Sequence, residues 1–459
     1  MQPIVHKFQS ADFQANSKWY ADALADNSVS KIIGAWNENS PLDNALPWEN
    51  IKSSIQHFPQ SLRNDQITAW EAPDTYQDKA AKETLEQFIR TAGELPAWAD
   101  RDKIEIASDV FMGNGALSSV ILFCSSLPEC YYYPSISTLL HASGNLEHQT
   151  AYRIRSTATM VFPVMLGGGL TRGDGCGILP IVRSRFTHAI IRNLVLRGNP
   201  ADRCRLDEGT PIFTNGLVIE RIGDPPEKKN AFQSIFFNGW DLGKFGMPCN
   251  QEEQAYVLLC FSHVFLRGMH KMGVKLTSSQ EDAFLHTWNV IGHILGIDAK
   301  LMAATQDEAE CLLARIRSTG FGSQDDNPGQ PTLTHALINT MEEALPYAIL
   351  KPLPTLMVQH LRSSFPAVQA SQQRRSTNFI AKSLFNMALF AATRFDKMAL
   401  RLNIQFSIIQ ATINILGKRF VVEILKMDPN TLHQNIDSRR WQTAASVPMV
   451  NKTQQFEDA

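Results

Sequence analysis

The sequence predicts an all-α fold, a layered bundle of many helices, and three observations carry that prediction. Apolar residues recur at spacings of three and four through most of the chain, the signature of a single buried helical face. Glycine and proline punctuate these runs at helix-length intervals, and few segments alternate apolar and polar residues as strands do. Helices that each bury one stripe stack on one another into a bundle.

At 459 residues the chain is long enough for one large domain or two to three smaller ones. With 44 % hydrophobic and 19 % charged residues it has the composition of an ordinary globular protein. The formal net charge is -2, from 43 basic and 45 acidic side chains, so nothing in the balance asks for a nucleic-acid partner. Seven cysteines, at 124, 130, 176, 204, 249, 260 and 311, are scattered without the tight spacing of a zinc knuckle or redox pair. Their odd count, and a start MQPIVHKFQS with no apolar run, make a reducing cytoplasm the expected location. The most apolar windows, 120–123 and 256–266, are too short for a transmembrane span. Peripheral attachment to a membrane surface stays open.

Residues 1–80 mix aromatic and polar residues with turn signals such as NSPLDNALPW, and read as an N-terminal arm with short helices. A helical core over 81–330 opens with KAAKETLEQFIRTAG, where Leu85, Phe88 and Ile89 share a face and Gly93 is the stop. Leu117–Leu127 reads as a buried helix closed by Pro128, and 136–146 as another ending near Gly144. In AYRIRSTATMVFPVM (151–165), Pro163 is expected to kink or end a helix. GGGLTRGDGCG (167–177) is a loop, and Pro180 suits the first turn of a helix that runs to Gly198. Helices follow over 252–273, over 278–296 with Ser278 or Ser279 as cap, and over 307–318. FGSQDDNPGQPT is a linker, and 331–459 is a C-terminal helical region with a polar tail.

Within VRSRFTHAIIR, the spacing puts Arg185 three residues before His188 and Arg192 four residues after it, on one helical face. Such a face suits a ligand with a metal at its centre and carboxylates at its edge. Imidazole binds iron through one ring nitrogen, and an arginine fork binds a carboxylate through two charge-assisted hydrogen bonds. Haem has that chemistry, but a hydrogen-bonded core histidine has the same spacing, and both readings stand. No second ligand lies within helical reach, since Ser184 and Thr187 are poor ones, which favours a metal that brings its own ligands over zinc. The chain lacks HExxH and CxxCH motifs, and the glycines at 167–169 lack the lysine-serine ending of a phosphate loop. His263 with His270, and His286 with His293, read as polar points in packed helices.

Several segments together resemble a haem-dependent oxygenase family, that of the bacterial rubber oxygenases and the fungal oxygenase of mycophenolic acid biosynthesis. They are SSLPECYYYP (125–134), SGNL (143–146) with RIRSTATMVF (153–162), GGGLTRGDG (167–175), VRSRFTHAIIR (182–192), GMPCNQEEQ (246–254) with FSHVFLRGMHKMGV, and HTWNVIGHILGI (286–297). The resemblance spans about residues 110 to 315. It implies an all-α bundle with a single buried haem site, and makes His188 of the arginine-x-x-histidine motif the proximal ligand of haem b. Arg185, Arg192 and Arg153 become candidates for holding the cofactor.

The family's earlier motif, an arginine followed four residues later by a threonine, falls on Arg153 and Thr157. The lysine that precedes that threonine in the rubber enzyme is Ser156 here, and a serine hydroxyl is a poor iron ligand. The implied catalytic set is therefore Arg153, Ser156 and Thr157, with Arg155 beside them. Asn250 and Gln251 match an asparagine-glutamine pair of the family, and Asn250 is also placed to cap a helix in a capping box with Glu253. Trp240 and Trp288 read as packing residues.

The function implied is oxygenation of an apolar unsaturated substrate, isoprenoid or lipid-like, with dioxygen and cleavage of a carbon–carbon double bond. The chain carries no flavin or iron–sulfur signature, so the electron donor is not legible in it. Two other readings stay open: a haem-binding sensor or carrier without turnover, and a peroxidase-like enzyme using His141 or His148 as distal base. The C-terminal helices would cover the pocket or mediate a homodimer.

Overall fold

The computed structural model describes residues 17–361, apart from 41–42, 144–149, 208–209, 215, 224–230, 321–328, 344 and 346–350, and beyond them Met387, Ala391 and Arg394. The helices expected after residue 378, the polar tail and most of the linker lie outside the described residues.

The expected all-α class is borne out in a mostly helical fold. Asp22 caps α1 (Ala23–Ile33) by accepting from the Ala25 N–H at 3.3 Å. The helix buries Ala25, Val29, Ile32 and Ile33, one face at helical spacing, and stops at Gly34 (φ 82°). After α2 (Ala45–His57), α3 (Lys79–Ala92) is capped by Asp78, buries Leu85, Phe88 and Ile89 and closes at Gly93, as its periodicity predicts. The expected arm contributes Ala25, Val29, Trp36, Ile51, Phe58 and Tyr76 to the main core.

Next come α4 (Arg101–Gly113) and α5 (Gly115–Ile121), the latter continuing through a π-helical turn, Leu122–Ser126, into α6 (Leu127–Cys130). Pro128 therefore does not close this segment. The Leu127 N–H reaches back five residues to the Leu122 carbonyl, and this wider turn accommodates the proline that follows. Proline opens α7 (Pro134–Ala142), and Pro163 sits two residues before the end of α8 (Thr150–Met165). The loop of glycines that follows is packed, with Asn64 Nδ2 donating to the carbonyls of Gly169 (2.9 Å) and Arg172 (2.8 Å).

Helix α9 (Ile178–Leu196) is the central element, touching α1, α8, α11 and α15. It ends on Arg197 in the left-handed region (φ 53°) followed by Gly198. Four short strands interrupt the helices. After α10 (Pro200–Arg203), β1 (Cys204–Asp207) pairs antiparallel with β2 (Thr210–Phe213). Then β3 (Val218–Ile219) pairs with β4 (Trp240–Asp241), on either side of α11 (Ala231–Asn238) and just before α12 (Leu242–Phe245). A second, smaller core of Leu139, Val195, Leu196, Phe213, Ile235 and Trp240 lies there.

The helix expected over 252–273 is two, α13 (Gln251–Phe261) and α14 (His263–Lys271). The break is Ser262, whose hydroxyl donates to the Leu258 carbonyl at 2.8 Å and competes with the regular backbone ladder. Thr277, and not Ser278 or Ser279, caps α15 (Ser278–Ile294), in a capping box with Gln280. Helix α15 packs along α4, and α16 (Gln306–Gly320), α17 (Gly329–Glu343) and α18 (Leu353–Leu361) complete the bundle. Among the described residues no single helix is long and apolar enough to cross a membrane. Only α4 with Leu117–Cys130 passes as a pair, bent by 89°, and Phe111, Ile121, Leu122 and Phe123 of that pair are core residues.

Candidate functional site

His188 stands in the middle of α9 and is half-buried. Successive residues of a helix are turned by about 100°, so Ser184 and Ile191 lie about 40° and 60° to one side of His188. These two and Thr187 are half-buried as well, which makes one semi-accessible face of small and apolar side chains with the imidazole at its margin. Arg192 and Arg185 lie about 40° and 60° to the other side.

Both arginines turn toward α1. Arg185 forms a two-pronged pair with Asp22, Nε to Oδ2 at 2.5 Å and Nη2 to Oδ1 at 2.8 Å, and its Nη1 donates to the Ile294 carbonyl at 3.2 Å. Arg192 donates from Nε to Asp26 Oδ1 at 2.6 Å and from Nη1 to the Cys249 carbonyl at 2.9 Å. The second pair is deep, with side chains 2 % and 4 % exposed. The structure thus joins Arg185, His188 and Arg192 on one helix as the spacing predicts. It directs the guanidinium groups at the carboxylates of a neighbouring helix.

The scattered motifs converge on the same place. Gln251 donates from Nε2 to the carbonyls of Ala21 (3.0 Å) and Gly296 (2.9 Å), and its own N–H donates to the Tyr20 carbonyl at 3.0 Å. Gly296 has φ 83°, and a Cβ there would run into Asp22 Oδ2 and the Arg185 guanidinium. Asn250 is the helix cap it was expected to be, accepting from the Glu253 N–H at 2.9 Å. The Glu253 side chain does not complete a capping box; it accepts from Ser135 Oγ at 2.6 Å and Asn250 Nδ2 at 3.1 Å. Burial pushes the Glu253 carboxyl up to about 8, against the pull of the Ser135 hydrogen bond.

Arg153, Ser156 and Thr157 lie on α8, which packs against α9. Ser156 is exposed, Arg155 and Thr157 are half-buried, and the side chain of Arg153 is outside the described residues. The paired histidines are engaged singly. His263 contacts Gln306 and Glu310, His270 pairs with Glu281 at 2.9 Å, and His286 Nε2 accepts the Asp100 N–H at 2.9 Å. His293 is exposed beside the Trp98 ring, and burial together with the Arg185 charge lowers its pKa. His141 is exposed at the end of α7, and His148 is outside the described residues. Trp240 and Trp288 are both buried packing residues, Trp240 Nε1 donating to the Gly246 carbonyl at 2.8 Å.

Sequence reasoning missed the acidic partners, Asp22 and Asp26, and a second buried polar cluster. In that cluster Glu129 pairs with Arg317 and accepts from the Tyr256 hydroxyl at 3.1 Å, while Tyr133 and Ser17 donate to Glu252. The signal was present but unspecific: acids and tyrosines in SSLPECYYYP and PCNQEEQ, where a buried acid needs a partner.

Among the described residues no group of three or more His, Cys, Asp or Glu side chains is placed to hold a metal ion. A single imidazole beside Ser184, Thr187 and Ile191 fits a metal that brings its other ligands with it, as iron in a porphyrin does. Fold and site together define a mostly helical protein with a single-histidine candidate centre. Residues 236–376 match the family model described as ER-bound oxygenase mpaB/B'/Rubber oxygenase, catalytic domain. The chain is 21 % identical over 329 residues to a rubber oxygenase of Streptomyces sp. (strain K30), an alignment covering 71 % of this chain and 61 % of that protein. Its fold matches the closed state of latex clearing protein LCP with a TM-score of 0.61 at 16 % identity, over 91 % of this chain and 94 % of the other. The family resemblance read from the motifs is borne out.

Proposed function

We propose that the protein is an oxygenase that holds haem b through His188 and acts on an apolar, unsaturated substrate of isoprenoid or lipid type. The observation that carries this is the place of His188, half-buried on a helix face of small and apolar residues, in a chain similar to a rubber oxygenase. Haem b, when bound, supplies the redox chemistry that brings dioxygen to a carbon–carbon double bond.

The chain's own residues hold, orient and exclude. His188 gives a ring nitrogen to the iron. Ser184 and Thr187 beside it spend their hydroxyl hydrogens on the Pro180 and Arg183 carbonyls of their own helix. On α8, the resemblance gives Arg153 and Arg155 the part of cations toward carboxylates of the cofactor or polar oxygen species, and Thr157 that of a hydroxyl. Ser156, in the place of the family's lysine, would be a poor ligand for the iron, because a serine hydroxyl binds it weakly. The cytoplasmic location belongs to this proposal, on the odd and scattered set of seven cysteines.

The test is an absorption spectrum of protein expressed with sufficient iron and haem precursor, beside His188→Ala. A strong band near ~400–420 nm, lost in the variant, is expected. A change on adding dithionite and carbon monoxide would show an accessible iron, and oxygen uptake with unsaturated isoprenoids would then be measured. No such band after reconstitution with haem would refute the proposal. A six-coordinate iron closed to carbon monoxide would instead favour a haem sensor or carrier.

A further inference from the structure

We propose that Asp22 and Asp26 are positioning residues for the His188 imidazole, acting through Arg185 and Arg192. This rests on His188 being the haem ligand, and it assigns the two arginines to holding α9 in place, where the spacing alone had made them candidates for the cofactor's carboxylates.

The geometry carries it. Asp22 and Asp26 stand four residues apart at the start of α1, and Arg185 and Arg192 stand seven apart on α9, so two pairs bridge the same two helices. The arginines bracket His188 in sequence and lie on the same flank of it. A turn of α9 about its axis would break both pairs together. An imidazole stands roughly 6 Å from the helix axis, so a turn of about 10° displaces its nitrogen by about 1 Å, enough to cost a bound group its productive geometry. The opposite flank of His188, with Ser184, Thr187 and Ile191, is half-buried and offers less packing to resist that turn.

Electrostatics point the same way. A buried ion pair adds little stability over apolar side chains of the same shape; what it adds is preference for one register. Arg192 is 2 % exposed and its pair with Asp26 has a 2.6 Å bond. The acids are fixed in their turn. Asp26 Oδ2 accepts the Asp22 N–H at 3.0 Å, and Gln251 holds the backbone of residues 20 and 21 just before Asp22. Gly296 leaves space for the Asp22–Arg185 pair that no other residue would leave. The start of α1, through its two acids, therefore sets the angle of the central helix.

The experiment compares Asp22→Asn and Asp26→Asn with wild type, with Asp26→Glu as the charge-retaining variant and Tyr133→Phe as a destabilised control whose lost bond runs to Glu252 of α13 and not to α9. Haem dissociation is followed by transfer to an apo-globin acceptor, with the visible spectrum and midpoint potential recorded on the same samples. Haem loss about tenfold or more faster in the asparagine variants, with an altered spin-state band, is expected. Tyr133→Phe should lower the melting temperature without those changes, and Asp26→Glu should recover most of the wild-type behaviour. Asparagine variants that melt lower yet release haem at the wild-type rate with an unchanged spectrum and potential would overturn the assignment. Should wild type itself take up no haem, the oxygenase proposal fails, and hydrogen exchange of the 183–192 peptide in the apo proteins decides this one. Faster exchange in the asparagine variants but not in Tyr133→Phe supports it, and equal exchange refutes it. Asp22 is the less buried acid, so its variant keeps the test open if Asp26→Asn does not fold.

Discussion

Tyr133 gives its hydroxyl hydrogen to a Glu252 carboxylate oxygen at 2.7 Å, across 119 residues of sequence. Ser17 occupies the other carboxylate oxygen at 2.8 Å, so one buried acid joins the start of the described chain, the turn before α7 and the first turn of α13. A hydrogen bond to a charged group contributes about 1.5–3 kcal/mol, and removing the donor leaves the acceptor short of a partner. Tyr133→Phe is expected to lose about that much in urea-induced unfolding. A loss near zero would mean that water replaces the hydroxyl and that the pair is not a joint of the fold.

Gly296 is placed where φ is 83° and where a Cβ would meet both members of the Asp22–Arg185 pair. Alanine there adds backbone strain of about 1–3 kcal/mol and forces the pair apart. Gly296→Ala should therefore melt lower than wild type and lose haem faster, whereas alanine at Gly113, whose Cβ meets nothing within 4 Å, should do neither. Melting curves and haem release on the three proteins check this.

Arg192→Met removes the cation and leaves Asp26 buried and unpaired. Breaking such a pair on one side costs about 3–5 kcal/mol, while replacing both partners by apolar side chains is often close to neutral. The single variant should fall by that amount in denaturant unfolding, and Arg192→Met with Asp26→Leu should recover most of it. If the double variant is stable but binds haem poorly, the pair serves position more than stability.

Much of this was legible in the sequence because helices announce themselves locally. Leu85, Phe88 and Ile89 with Gly93 define α3 by spacing and stop signal alone, and Arg185, His188 and Arg192 fall on one helix as expected. What failed depended on local competition that periodicity does not encode. Ser262 breaks a long apolar run through its hydroxyl, Pro128 is carried by a π-helical turn, and Thr277 caps ahead of two equally plausible serines. What could not be read was partnership. Nothing near Arg192 in the sequence points to Asp26, 166 residues away, and the NSPLDNALPW turn signals make the surrounding segment look like an arm, although α1 supplies residues of the core. The motifs SSLPECYYYP, PCNQEEQ and HILGI were visible as a pattern of resemblance. Their physical content, a set of buried hydrogen bonds between distant segments, needed the fold.

Glu253 makes the pH dependence of stability predictable. Its carboxyl is pushed from 4.5 up to about 8 by burial, so the folded protein keeps the proton over a range in which the unfolded chain releases it. For an acid whose folded value is raised, stability is full below the unfolded value and declines as pH rises toward the folded one. The slope is about 1.4 kcal/mol per pH unit for one proton. Glutamine at this position never ionises, and its carbonyl oxygen can still accept from Ser135 and Asn250. The unfolding free energies of wild type and Glu253→Gln should therefore run parallel below pH 4.5 and diverge up to about pH 8, with wild type falling relative to the variant. Parallel curves across that whole window would show that Glu253 is ionised in the folded protein, held so by Ser135, Asn250 and the charge of Arg192.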